Sequence, residues 1–130
     1  TNEGRALILL ENNGLIKLKE NSGLEATLKD IISNPKNIDF KEVEAAQLPR
    51  TLDDVDASVI NTNYAIEAGL DLTKDALLSE GKESPYANIL VVRPEDEKNE
   101  NLIKVLNALQ SDEVKSFIEK KYGGAVVPAF

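Results

Sequence analysis

The sequence predicts an α/β fold, and three observations carry that prediction. Short β-branched, apolar runs occur at 57–60 and 89–92. Stretches with apolar residues three and four apart separate and follow them, the spacing of a half-buried helix. Gly, Asn and Pro punctuate nearly every junction between the two kinds of segment. Helices alternating with strands imply a parallel sheet covered on both faces.

The totals narrow the function classes. With 130 residues the chain is long enough for one domain with a real core and short for two. At 42% hydrophobic and 29% charged it has the balance of a globular chain rather than a disordered one. A formal net charge of −8 argues against nucleic acid or an anionic membrane surface as partner. No apolar run approaches the roughly 18 residues of a membrane span, and no basic-then-apolar signal segment opens the chain. Cys and His are both absent, which excludes disulfides and thiol catalysis and removes the commonest general base and metal ligand. No catalytic residue, metal site or cofactor is expected.

The chain opens directly on a helix start, so a fragment or a trimmed chain is expected. Thr1 or Asn2 caps the first helix, with Glu3 in the first turn, where the dipole favours a carboxylate. Ala6, Leu7, Leu9 and Leu10 give it an apolar face, and Asn13 or Gly14 ends it in the left-handed conformation. Residues 15–18 are extended, and Asn21-Ser22-Gly23 turns. Leu24, Leu28, Ile31 and Ile32 predict a second helix closed by Asn34-Pro35. Residues 38–45 read as a strand, and a short helix is expected at 51–55, with Pro49 or Thr51 near its start. The 57–60 strand then feeds a helix beginning near Tyr64 and ending at Gly69.

From 71 to 84 the chain is polar, and a Pro-containing stretch precedes the most apolar strand, 89–92. That pattern suits a crossing between two bodies. A charged loop follows at 93–99, and then an amphipathic helix built on Leu102, Ile103, Val105, Leu106 and Leu109. A last helix is capped by Ser111, puts Val114, Phe117, Ile118 and Tyr122 on its inner face, and stops at Gly123-Gly124.

Two places suggest a ligand. Asn61 stands at a strand-to-helix junction, just beyond the carboxyl end of a strand, where open α/β sheets hold small polar ligands. Asn61 and Asn63 also suit an ordinary helix cap, so the residues alone leave both readings open. Asn2-Glu3-Gly4-Arg5 sets a guanidinium in the first turn of a helix, with Gly4 able to admit an anion close to the backbone. A surface Arg beside a plain cap is the alternative. Asp53-Asp54 and Glu95-Asp96-Glu97 read as solvated turns, and Tyr64 and Tyr86 as aromatics near the proposed cleft.

At this point the chain resembles a known family. Asn2-Glu3-Gly4-Arg5-Ala6-Leu7, Pro35-Lys36-Asn37, Ala46-Gln47-Leu48-Pro49-Arg50, Val59-Ile60-Asn61-Thr62-Asn63-Tyr64-Ala65, Ser84-Pro85-Tyr86-Ala87-Asn88 and the Gly124 to Phe130 tail are similar to the methionine-binding NlpA/MetQ lipoproteins. These are the substrate-binding components of ABC importers. The resemblance runs from end to end of the chain. It implies a two-lobed fold of the periplasmic-binding-protein type II kind, with L-methionine, D-methionine or a methionine-containing dipeptide between the lobes.

By that resemblance Asn2 and Arg5 contact the ligand carboxylate and Asn61 a ligand polar group, with Asn63 and Tyr64 beside them. Residues 1–84 correspond to the second lobe without its leading strand, and 85–130 to the returning strand and closing helices of the first. Family members carry a signal peptide, a lipidated cysteine and a complete first lobe ahead of the Asn-Glu-Gly-Arg motif. The aromatic and histidine residues around the thioether lie in that part. The intact protein is thus expected to be extracytoplasmic and membrane-anchored, with an ABC permease as partner. This chain by itself is expected to hold methionine weakly. Its 85–130 segment is expected to fold back, swap between chains into a homo-oligomer, or pair with a chain carrying the rest.

Overall fold

The computed structural model describes residues 2–81 and 84–130 and divides into two compact units, Thr1–Ser79 and Glu80–Phe130. Thr1, one of the two expected caps, and Lys82-Glu83 of the expected crossing lie outside the described residues.

The first unit is built on helix α1, Asn2–Asn12. Its end follows the expected pattern, with Gly14 rather than Asn13 in the left-handed conformation (φ +69°). The Gly14 N–H donates to the Glu11 carbonyl at 2.8 Å and the Leu15 N–H to Leu10 at 3.0 Å. The chain returns as strand β1, Lys17–Leu18, which pairs antiparallel with β2, Ile31–Ser33. Two carboxylates of α1 fasten the helix to this segment. Glu11 Oε1 accepts from the Leu18 N–H at 2.7 Å, and Glu3 Oε1 from the Leu28 N–H at 2.8 Å. Leu7, Ile16, Leu18 and Ala26 are buried together, with Ile8, Leu10, Leu28, Ile31, Ile38 and Phe40 around them.

Gly4 explains how closely the helix sits. It is buried, and a Cβ there would collide with the Leu24 carbonyl oxygen. The bare backbone lets α1 rest on the 23–26 turn and brings Leu7 into the core.

The helix predicted over Leu24–Ile32 does not form. Two short 3-10 turns, Gly23–Glu25 and Leu28–Asp30, lead into β2 instead. Asp30 Oδ2 accepts from both the N–H and the hydroxyl of Thr27 at 2.9 Å, closing the second turn on itself and holding the Asp30 carboxyl below its usual range. The helical spacing was misleading because Ile31 faces the core while Ile32 is 60% exposed, the alternation of a strand.

Three further strands expected from sequence, 38–45, 57–60 and 89–92, lie outside any ladder. Among the described residues the sheet is the antiparallel β1–β2 pair, not the expected parallel one. In the first of these stretches Ile38 and Phe40 pack against the core and Val43 is exposed. The Asn34 side chain brackets the preceding turn, donating to the Ile38 carbonyl and accepting from its N–H, both at 2.9 Å. The short helix expected at 51–55 begins earlier, as a 3-10 helix over Ala45–Asp54 with Pro49 inside it. It packs against α2, Thr62–Glu67, whose Ala65 is buried and whose exit is Gly69 at φ +78°.

At 71–75 a polar turn closes on Asp71. Asp71 Oδ1 accepts from the Thr73 N–H and hydroxyl at 3.0 and 2.6 Å, and Lys74 Nζ stands 2.6 Å from Oδ2. The lysine first, then the threonine bonds, lower the Asp71 pKa to about 2.

The second unit contains α3, Glu100–Leu109, and α4, Asp112–Tyr122; the Ser111 cap of α4 is the one the sequence predicts, while the cap of α3 is Asn99, read from sequence only as the end of a charged loop. Asn99 Oδ1 accepts from the Asn101 N–H at 3.0 Å, and Ser111 Oγ from the Val114 N–H at 3.3 Å. Gly123 ends α4 at φ +54°. No described residue of this unit is buried, and Ile89 and Val91 are 80% and 74% exposed. The expected inner face of α4 is open at Phe117, which is 56% exposed.

The seating of α1 makes a direct prediction. Replacing Gly4 with Ala forces the helix off Leu24 and should cost about 1–3 kcal/mol by the usual scale of overpacking. The urea midpoint should fall with an unchanged slope. An unchanged midpoint would contradict the close contact.

Candidate functional site

The five residues expected to hold a ligand belong to two helix starts of the first unit. Asn2 and Arg5 lie three apart near the N-terminus of α1, on neighbouring positions of its surface. Asn2 is exposed and Arg5 half-buried. Asn61, Asn63 and Tyr64 cluster at the start of α2, with Asn61 and Tyr64 half-buried and Asn63 exposed.

The α1 end is organised by neighbours that the reading of the site did not use. Glu3 Oε1 accepts from the Leu28 N–H, so this carboxylate anchors the helix. The space beside Gly4 is taken by the Leu24 carbonyl. The expectation that Gly4 admits an anion to the backbone is therefore corrected: this glycine serves packing. The groups at this helix mouth whose chemistry suits an anion are the Arg5 guanidinium and the Asn2 amide.

The two readings of Asn61 can now be weighed on geometry. Asn61 occupies the N-cap position with extended backbone (φ −64°, ψ 139°), yet its side chain makes no capping hydrogen bond. Its carbonyl accepts from the Ala65 N–H at 3.1 Å, so the backbone alone starts the helix. The carboxamide therefore retains its donors and acceptor for another use. The stretch before it alternates as a strand would, with Val59 outward and Ser58 and Ile60 turned inward. Ser58 is half-buried. Its hydroxyl is buried with no hydrogen-bond partner, which no feature of the sequence announced.

Elsewhere, a wide-open hollow on α4 is lined by Asp112, Glu113, Ser116, Phe117 and Lys120 and contains none of these residues. Among the described residues no group of three or more acidic side chains is placed to share a metal ion, and no helix is long and apolar enough to cross a membrane.

The whole chain, residues 1–130, matches the family described as NlpA lipoprotein. The D-methionine-binding lipoprotein MetQ of Escherichia coli is 48% identical over 129 residues, which are 98% of this chain and 48% of that protein. A nutrient-binding protein from Burkholderia cenocepacia, solved bound to methionine, is 51% identical with a TM-score of 0.83, across 99% of this chain and 55% of that one. A periplasmic substrate-binding protein of an ABC transporter from Coxiella burnetii is 50% identical with a TM-score of 0.84, across 98% of this chain and 54% of that one. The chain spans about half the length of the relatives it matches.

The geometry at Asn61 has a measurable consequence. Losing a working side-chain cap ordinarily costs about 1 kcal/mol. Because this side chain caps nothing, Asn61→Ala should change stability by no more than about 0.5 kcal/mol, the scale of an ordinary surface substitution. A loss of a full cap in urea titration would restore the capping reading.

Proposed function

The chain belongs to the NlpA lipoprotein family and has the α/β, periplasmic-binding-protein type II-like fold, and on that premise we propose that it works in an extracytoplasmic solute-binding protein for methionine or a methionine-containing dipeptide. The bound solute is passed to the permease of an ABC importer, and a lipid anchor keeps the protein at the membrane. The relatives are named as binding proteins, and the role proposed here involves no chemical step.

The observation that carries this reading is the Asn61 carboxamide, set at a helix start that does not use it. In the proposed complex Arg5 grips the ligand carboxylate through its guanidinium fork, assisted by Asn2. Asn61 takes the other polar end, accepting from the α-ammonium through its carbonyl oxygen. Tyr64 and Asn63 border the ligand from the same helix start. Residues 1–84 act as the second lobe of the binding protein, and 85–130 supply the returning strand and closing helices of the first. The relatives' further length supports that division, as does the lack of any buried residue among the described residues of the second unit.

A second reading rests on a specific observation, the exposure of the apolar run at 89–92. In that reading the chain is an α/β interaction module with a vestigial pocket, and its 85–130 segment pairs or swaps with another copy.

Calorimetric titration with L-methionine, D-methionine and a methionyl dipeptide, alongside light scattering, separates the two. The first reading predicts saturable heat with at least one of these ligands. It also predicts that Arg5→Ala and Asn61→Ala each weaken binding by roughly tenfold or more, the scale of a hydrogen bond to a charged group. No heat with any ligand, together with a stable dimer, would overturn it in favour of the second.

A further inference from the structure

Asn13-Gly14 is the one Asn-Gly pair in the chain, and it forms the exit of α1. Both residues are exposed, and the place where a Gly14 side chain would stand is open, with no atom within 4 Å. With no Cβ at Gly14, its backbone nitrogen can reach the carbonyl carbon of the Asn13 side chain.

We propose that Asn13 is a site of spontaneous deamidation whose rate is gated by the last turn of α1. The Gly14 nitrogen, having given its proton to hydroxide, attacks Asn13 Cγ. The N–Cγ bond forms, the Cγ–Nδ2 bond breaks, and Nδ2 takes up a proton and leaves as ammonia. Water then opens one of the two C–N bonds of the cyclic imide, leaving aspartate or isoaspartate at position 13. The sequence needs only water and hydroxide.

Two hydrogen bonds oppose this in the folded chain. The Gly14 N–H donates to the Glu11 carbonyl at 2.8 Å, and Asn13 Nδ2 donates to the Leu9 carbonyl at 2.8 Å. Nucleophile and leaving group are thus tied to different carbonyls, and the reaction waits for the turn to open. Helix ends open at small free-energy cost, so the gate slows the reaction without abolishing it. At Asn21-Ser22, another turn with an exposed Asn, the Ser22 side chain crowds the attacking nitrogen, and its N–H is bound to the Lys19 carbonyl at 3.2 Å. That site should react more slowly.

The product is unfavourable where it forms. A carboxylate at position 13 faces the negative end of a helix that carries no basic residue in its last turn, and the Nδ2 bond to Leu9 is gone. Asn2 lies about 16 Å away along the axis at the usual rise per residue, so the change acts on the anchoring of α1 rather than on a ligand.

The test is peptide mass spectrometry of the whole chain aged in mildly alkaline buffer, folded and in guanidinium. The amide-to-acid mass gain should appear at Asn13 first. It should accumulate about tenfold or more faster in the unfolded chain, matching an opening cost above roughly 1.4 kcal/mol. Asn13→Gln should abolish the gain in that peptide. Equal rates in the two states, no gain at Asn13 in guanidinium, or a gain that survives in Asn13→Gln would each overturn the proposal.

Discussion

Helix α1 rests on the backbone of residues 24–26 through the missing side chain of Gly4, and the first unit depends on that contact. From it follow the burial of Leu7 among Ile16, Leu18 and Ala26, and the reach of Glu3 to the Leu28 N–H. Glu11 repeats the device two turns later at Leu18. Each carboxylate satisfies a backbone donor that a ladder would otherwise have to satisfy. The helix is therefore held by packing along one face and by a charged hydrogen bond near each end. Arg5 comes from that same turn of α1.

Among the described residues the second unit shows no such anchor. Its helices are well capped, but many of its large apolar side chains, Ile89, Val91 and Phe117 among them, are exposed, and fully burying each would be worth roughly 1.5–3 kcal/mol. Several such residues approach the whole stability of a domain, about 5–15 kcal/mol. Local order in α3 and α4 thus comes from their side-chain caps, and in α4 also from the Gly123 exit, rather than from buried side chains. The proposed place of this unit in a larger lobe fits that imbalance, because relatives of about twice the length share its sequence.

Legibility in the sequence followed how local the cause was. The Ser111 cap and the exits at Gly69 and Gly123 could be read directly, and the exit of α1 to within one residue, since each depends on one residue and its immediate neighbours; the Asn99 cap was missed because it sits at the end of a charged loop. The strands expected at 38–45, 57–60 and 89–92 did not form ladders, because pairing depends on distant partners that periodicity does not reveal. Leu24 to Ile32 misled because a Thr27–Asp30 side-chain lock and a strand together imitate helical spacing. At the site, the residues left Asn61 between cap and contact, and only the backbone-only start of α2 bears on that choice. Gly4 was placed in the right motif for the wrong reason, because a close approach between two backbones leaves no trace in composition.

The central claim is that one guanidinium and one uncommitted carboxamide hold a single methionine. The chain contains no methionine of its own, so labelled methionine can be followed without background while the protein's side-chain N–H signals are recorded. Nuclear magnetic resonance titration should shift the Asn61 carboxamide and the Arg5 guanidinium together, along one binding curve that also broadens the ligand methyl signal. A ligand that broadens while either of those two groups stays unmoved would contradict the account.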